Sequence, residues 1–270
     1  MGRVLSASTR GILHARTARE RFQVIKFAPC AALAPFVDFF WVLTWDLRGE
    51  PPHRQRVLTR PSVHMTFTSY LTSGAKRARI VGVVRDEFVE EIADEGRVVG
   101  AGFRPGGFRP FLGRPVASIT GRFLAVDAVF GEAGRALGEQ VFATPGAEDA
   151  VAVLEAFLTG REPEADPRAE TAARIVAGIG EGVGRVGELA ASLGMSERGV
   201  QRLFREYVGV GPKWVIRRFR MLEAAERAAD GTEIDWAALA AELGYSDQAH
   251  FTRDFTASVG TSPARYARDA

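Results

Sequence analysis

Leu189-Ala190-Ala191-Ser192-Leu193-Gly194-Met195-Ser196 returns 50 residues later as Leu239-Ala240-Ala241-Glu242-Leu243-Gly244-Tyr245-Ser246, and this repeat decides the fold of the C-terminal part. Each copy reads as a short apolar helix, a glycine turn and a second helix opened by a serine, the order of a helix-turn-helix. Beyond the serines the offset becomes 51, so that Val200, Arg202, Phe204, Val208, Gly209 and Pro212 answer to Phe251, Arg253, Phe255, Val259, Gly260 and Pro263. Two such units in tandem predict a protein that reads DNA.

The second helix of each unit is expected to enter the major groove, with an apolar stripe turned inward and hydrogen-bonding side chains turned out. In the first unit Val200, Leu203, Phe204 and Val208 make the inner stripe, leaving Arg198, Gln201, Arg202 and Arg205 outside. Arginine pairs with guanine and glutamine with adenine through two hydrogen bonds, each pair worth about 1–3 kcal/mol of discrimination. In the second unit Phe251, Phe255 and Val259 face inward, and Gln248, Ala249, His250 and Arg253 face out. Ala249 stands where the first unit has Arg198, and Asp247 and Asp254 lower the local charge, so this helix is expected to add shape and a few contacts. A merely solvated polar face is the competing reading of either helix alone.

Pro212 to Ala229 reads as one helix with Val215, Phe219 and Leu222 on one side. Its length of roughly 27 Å, with the width of the units added, suits the roughly 34 Å between successive major-groove faces. Pro167 opens an earlier helix to about Ile179, with Ala172, Ile175, Val176 and Ile179 on one face; Gly178, Gly180, Gly182 and Gly184 then predict a turn, in a spacing that does not fit a phosphate loop.

Ahead of these helices, β-type runs are expected at 22–27, 39–45, 63–70, 79–84, 88–92 and 98–103, then mostly helix from 126 to 158, with Leu137, Val141, Val151, Leu154, Phe157 and Leu158 as its apolar positions. The polar stretch Thr159 to Pro167 is the linker candidate. The expected class is therefore an α+β two-domain protein: a flexible basic arm (1–21), a mostly β barrel or sandwich with closing helices (22–160), a linker (161–167) and an all-α DNA-binding domain (168–270). The 270 residues are 46% hydrophobic with a formal net charge of +2, so overall charge does not by itself predict a nucleic-acid partner. The cationic block from Arg198 to Arg220 does. No apolar run approaches the roughly 20 residues that span a bilayer, no secretory signal is recognised, and a single cysteine fits a reducing cytoplasm.

The chain resembles the AraC/XylS family of bacterial transcription regulators from about Arg168 to Tyr266. Carrying the resemblance are Val186-x-x-Leu189-Ala190-x-x-Leu193-Gly194-x-Ser196-x-x-x-Val200-x-Arg202-x-Phe204, Gly209-x-Gly211-Pro212, and Leu239-Ala240-x-x-Leu243-Gly244-Tyr245-Ser246-Asp247-Gln248-Ala249-His250-Phe251-x-Arg253-x-Phe255 through Gly260-Thr261-Ser262-Pro263-x-x-Tyr266. It implies groove-facing roles for Arg198, Gln201, Arg202, Ala249, His250 and Arg253. The segments Ala31 to Trp41, Arg56-Val57-Leu58 and Gly100 to Phe108 are similar to a sensory-type domain placed ahead of such units, which implies a cupin-like barrel serving ligand sensing or dimerisation. The partners expected are double-stranded promoter DNA, a second copy of the chain, a small-molecule effector and, for an activator, RNA polymerase, with no membrane, cofactor, metal or enzymatic role. Three N-terminal features carry their own readings. Phe36, Phe39, Phe40, Trp41 and Trp45 are read as core or as an effector pocket. His53 and His64 are too isolated for a metal site, and Arg104 to Pro110 is read as a tight turn or an anion cradle. Cys30 supports an alternative, a thiol-based redox or alkylation sensor coupled to the same DNA-binding domain.

Overall fold

The computed structural model describes residues 4–5, 11–182, 186–230 and 234–269. Its N-terminal part contains strands β1 (Val4–Leu5), β2 (Gln23–Phe27), β3 (Val37–Leu47), β4 (His53–Val57), β5 (His64–Tyr70), β6 (Lys76–Val81), β7 (Phe88–Ile92), β8 (Asp94–Phe103) and β9 (Phe123–Ala125). Among the described residues they form an antiparallel seven-stranded sheet in the order β1-β2-β3-β8-β5-β6-β9, with β4 and β7 paired as a separate hairpin. This sheet-rich part has the expected mostly β class, and among the described residues no pairing joins β1 to β9.

Alternation along the strands sorts the side chains between two faces. Phe40, Val42, Met65, Phe67, Ile80, Val99, Ala101 and Phe103 point to one face, which helices α3 (Asp127–Ala143) and α4 (Ala147–Thr159) cover with Leu137, Val141, Val151 and Leu154. Trp45, Leu47, Ile92 and Val98 form a smaller cluster on the other face, beneath helix α1 (Ala15–Arg21) and the hairpin, with Trp41 and Leu43 packed against it. The five aromatic residues read as core or as one pocket are divided: Phe36 and Phe40 lie in the main core, and Trp45 lies in the smaller one. The basic arm is also not uniform, since α1 buries Ala18 and Leu13 is buried ahead of it.

After α2 (Arg109–Leu112) and a 3-10 turn (Val116–Ile119), the C-terminal part is helical: α5 (Pro167–Gly180), α6 (Val186–Ser192), α7 (Glu197–Leu203), α8 (Pro212–Ala229), α9 (Trp236–Glu242), α10 (Gln248–Val259) and α11 (Pro263–Asp269). Helix α5 buries Ala172, Ile175, Val176 and Ile179, the predicted stripe. It also runs through Gly178 and Gly180, so the turn begins only at Glu181 and Gly182; Gly184 lies outside the described residues.

One apolar core runs from the sheet into the helices, and polar contacts fasten the two parts along it. Thr120 Oγ1 donates to the carbonyl of Gly209 at 2.7 Å, Arg109 pairs with Glu206 at 2.7 Å, and Arg218 Nη2 donates to the carbonyl of Arg85 at 2.8 Å. Arg56 Nη1 lies 3.4 Å from the carbonyl of Val259, and the rings of His14 and Tyr266 are 4.8 Å apart. The turn from Arg104 to Pro110 belongs to this joint. Arg104 donates to the carbonyl of Ala34, Arg109 is held by Glu206, and Gly106 lies against Ala169 of α5, so both arginines are engaged by the fold.

His64, half-buried on β5, is shifted down to about 4 by burial, with Lys26 and Arg60 adding to the effect. An unfolded histidine titrates near 6.5, so the folded state loses stability as pH falls from about 6.5 towards 4, where only the unfolded chain takes up the proton. The loss is expected to be on the order of 1–3 kcal/mol, and the variant His64→Gln should flatten this limb of a melting-temperature against pH profile.

Candidate nucleic-acid interface

Both repeats close their first helix in the same way. Gly194 and Gly244 adopt φ of +59° and +74°, and the amides of Met195 and Tyr245 donate to the carbonyls of Ala190 and Ala240, each at 2.9 Å. This hydrogen bond and the left-handed glycine make a Schellman ending, which turns the chain sharply with its last carbonyls satisfied. The next helix opens differently in the two units. Ser196 Oγ accepts from the amide of Gly199 at 3.1 Å, capping α7. In the second unit the cap is Asp247, whose Oδ1 accepts from the amide of His250 at 2.7 Å, and not the repeated Ser246. The extra residue in the second turn is what changes the offset from 50 to 51.

Val200, Leu203, Phe204 and Val208 are buried, as are Phe251, Phe255 and Val259. The first reading helix continues past α7 through a π-turn, Phe204–Val208, in which the amide of Gly209 donates to the carbonyl of Phe204 at 2.8 Å. On the opposite face Arg198, Gln201, Arg202 and Arg205 are exposed, and among the described residues no side-chain hydrogen bond or ion pair engages them. Gln248, Ala249, His250 and Arg253 are exposed on α10. The Arg253 Nε donates to the carbonyl of Ala249 at 3.3 Å, within its own helix.

The rest of the cationic block has other work. Arg217 pairs with Asp254 at 3.2 Å, and Arg220 lies over the ring of Tyr245 at 5.5 Å. Arg218, 5% exposed, lies over Trp214 at 4.6 Å. Burial, with Arg217 adding, pushes its guanidinium down to about 10, while Asp86 opposes the shift. Sequence reasoning grouped these three with the outer arginines because an unbroken run of like charge does not say which side of a helix each member takes.

Asp254 is a centre that the sequence did not single out beyond its charge. Its carboxylate accepts from Tyr245 Oη at 3.0 Å, pairs with Arg217 and lies 3.9 Å from His250 Nε2. Burial raises the tyrosine pKa further from neutrality, and the charge and hydrogen bond of Asp254 add to it. The ring of His250 meets that of Tyr245 edge to face at 5.1 Å. His250 is thus partly engaged within its own unit, by Tyr245 of the turn and by Asp254 one turn along the same helix. A cleft of about 710 Å³ opens beside this network between the two units, with Lys213, Arg217 and Arg220 on one wall and Glu188 and Glu197 on the other.

Cys30 is exposed, with its Sγ 3.9 Å from Thr159 Oγ1 and its amide donating to Glu155. Neither contact supplies the positive charge that activates a reactive thiol, and the thiol-sensor alternative finds no support.

Replacing Ser196 by alanine leaves the Gly199 amide uncapped and is expected to lower stability by about 1 kcal/mol. In the second unit Asp247→Ala should lower the melting temperature and Asp247→Ser restore it, whereas Ser246→Ala should do little. Thermal melts of the three variants check which residue caps α10.

Residues 189–269 match the family described as a helix-turn-helix domain, and residues 25–125 match a domain of unknown function, DUF6597. The HTH-type transcriptional regulator Rv1931c of Mycobacterium tuberculosis is 35% identical over 108 residues. That alignment takes in 40% of this chain and 40% of the relative, so the chain spans well under two thirds of that protein's length. A probable AraC family transcriptional regulator from Rhodopseudomonas palustris is similar at 26% identity and a TM-score of 0.34, covering 37% of this chain and 95% of that one. ToxT from Vibrio cholerae, in a structure with (E)-4-(8-methylnaphthalen-1-yl)but-3-enoic acid bound, is similar at 12% identity and a TM-score of 0.42, covering 92% of this chain and 99% of that one. The repeated units, their shared turn geometry and the family matched by residues 189–269 agree that the C-terminal part of this chain is a helix-turn-helix domain.

Proposed function

We propose that this protein is a sequence-specific regulator of transcription that binds double-stranded promoter DNA with two helix-turn-helix units. The observation that carries the reading is the exposed, unengaged row Arg198, Gln201, Arg202 and Arg205 on a helix whose other face is buried. Guanidinium and carboxamide groups left without partners among the described residues are available for bases and phosphates. Gln248, His250 and Arg253 form the second, weaker reader, because His250 is partly held by Tyr245 and Asp254. The regulator works as a cytoplasmic homodimer joined through the sheet domain, which also receives a small-molecule effector; as an activator it contacts RNA polymerase. Among the described residues no helix is long and apolar enough to cross a membrane.

Genomic footprinting of the full chain supplies the site on which substitutions are measured. Arg202→Ala is expected to weaken binding by about 1–3 kcal/mol and to relax base preference at one position, or to reduce the salt slope by about one if it meets a phosphate. His250→Ala should cost less than Arg202→Ala. Titrations across a salt series decide the matter: binding that is non-specific and lost with modest salt, or unchanged by Arg198→Ala and Arg202→Ala, would overturn the reading in favour of an interaction adaptor.

A further inference from the structure

The face of the sheet turned towards the β4–β7 hairpin holds a concentration of unpartnered buried donors. Trp41 Nε1, Thr66 Oγ1, Arg77 Nε and Arg79 Nε are all buried without a hydrogen-bond partner; among the described residues Arg218 Nη1 is the one other buried side-chain atom in that condition. Buried polar groups in folded proteins are nearly always paired, so a cluster of exceptions calls for a physical reason. The strand register sets these four on one face of the sheet. Trp41 pairs with Gly100, Gly100 with Thr66, and Thr66 with Arg79, one row running across β3, β8, β5 and β6; Arg77 sits two residues from Arg79 on the same face.

Gly100 gives the row its shape. A Cβ there would lie 2.7 Å from Trp41 Nε1, so the indole edge occupies the space above the glycine. Glu90, on the hairpin opposite, pairs with the terminal nitrogens of Arg77 and Arg79 and leaves the Nε of each unused. One carboxylate against two guanidiniums leaves a positive charge, and Lys26 and Arg60 add to the field felt at the neighbouring His64. Three of the four unused atoms are N–H groups that can only donate, and the fourth is a hydroxyl able to donate.

We propose that this row, Trp41, Thr66, Arg77 and Arg79, is the binding site of a compact ligand recognised through an oxyanion, either a carboxylate or a phosphate group. Such a group supplies several acceptor lone pairs to donors that otherwise have none, and charge-assisted hydrogen bonds to guanidinium are the strong kind. The proposal rests on the reading that the sheet domain receives an effector, and it adds the chemistry of the recognised end and the residues that hold it.

The test uses the full chain with three probes at matched ionic strength: sodium malonate, inorganic phosphate and neutral malonamide. Melting temperature and tryptophan fluorescence are followed against concentration. Malonate or phosphate is expected to give a saturable rise in melting temperature that malonamide does not, and whichever anion acts identifies the group recognised. Thr66→Val, which keeps the shape and removes the hydroxyl, should weaken that response about tenfold or more. Arg79→Gln should do the same, and if it fails to fold the valine variant carries the test alone. A wild-type response no larger than that to sodium chloride overturns the proposal, as does a response that Thr66→Val leaves unchanged. DNA affinity measured on the same samples keeps the two readings apart, since loss of the anion response with DNA binding intact removes this site and not the regulator.

Discussion

Everything in the C-terminal part depends on the burial of α8. An ordinary surface helix buries one stripe, but α8 buries Pro212, Val215, Ile216, Arg218, Phe219, Met221, Leu222, Ala224, Ala225 and Ala228. A helix covered this widely has to pack on more than one neighbour. It packs on α5, on α10 and α11, and, through Arg218 and Phe219, on Arg85 and Arg60 of the sheet domain. Each large apolar side chain buried here contributes about 1.5–3 kcal/mol. The sum fixes the spacing of the two reading helices far more firmly than a flexible connection would.

Charge is then distributed around this helix by purpose. Arg217, Arg218 and Arg220 are occupied by Asp254, by the Arg85 carbonyl and Trp214, and by Tyr245, and so they hold the scaffold. Arg198, Arg202 and Arg205 are held by nothing in the described protein. Exposed charges in this state cost little to keep and can exchange their water and counterions for a polyanion.

Much of this was legible in the sequence because helical periodicity leaves a strong imprint. The stripe of α5, both bounds of α8 and the inner faces of the two reading helices were predicted residue by residue. Strand β4 was not, since His53-Arg54-Gln55-Arg56-Val57 has no apolar alternation. Its one buried position is polar, Gln55, which donates to the carbonyls of Leu13 and Arg56. The cap at Asp247 was hidden behind the repeated serine; only the change of offset from 50 to 51 pointed to it. The row from Trp41 to Arg79 was out of reach altogether, because pairing across four strands is a property of register and not of any local pattern. The cupin-like resemblance of the sheet domain stays an expectation, its matched family being one of unknown function.

The joint between the two parts touches both reading helices at the same end. Thr120 holds the carbonyl of Gly209, where the first reading helix stops, and Arg56 approaches the carbonyl of Val259, where α10 stops. The two second helices of the repeat are thus referred to a single body at their far ends, with their N-terminal ends left outside. Thermodynamic linkage makes that arrangement reciprocal: whatever free energy a ligand of the sheet domain exerts on these two contacts, bound DNA returns in full to the ligand's own affinity.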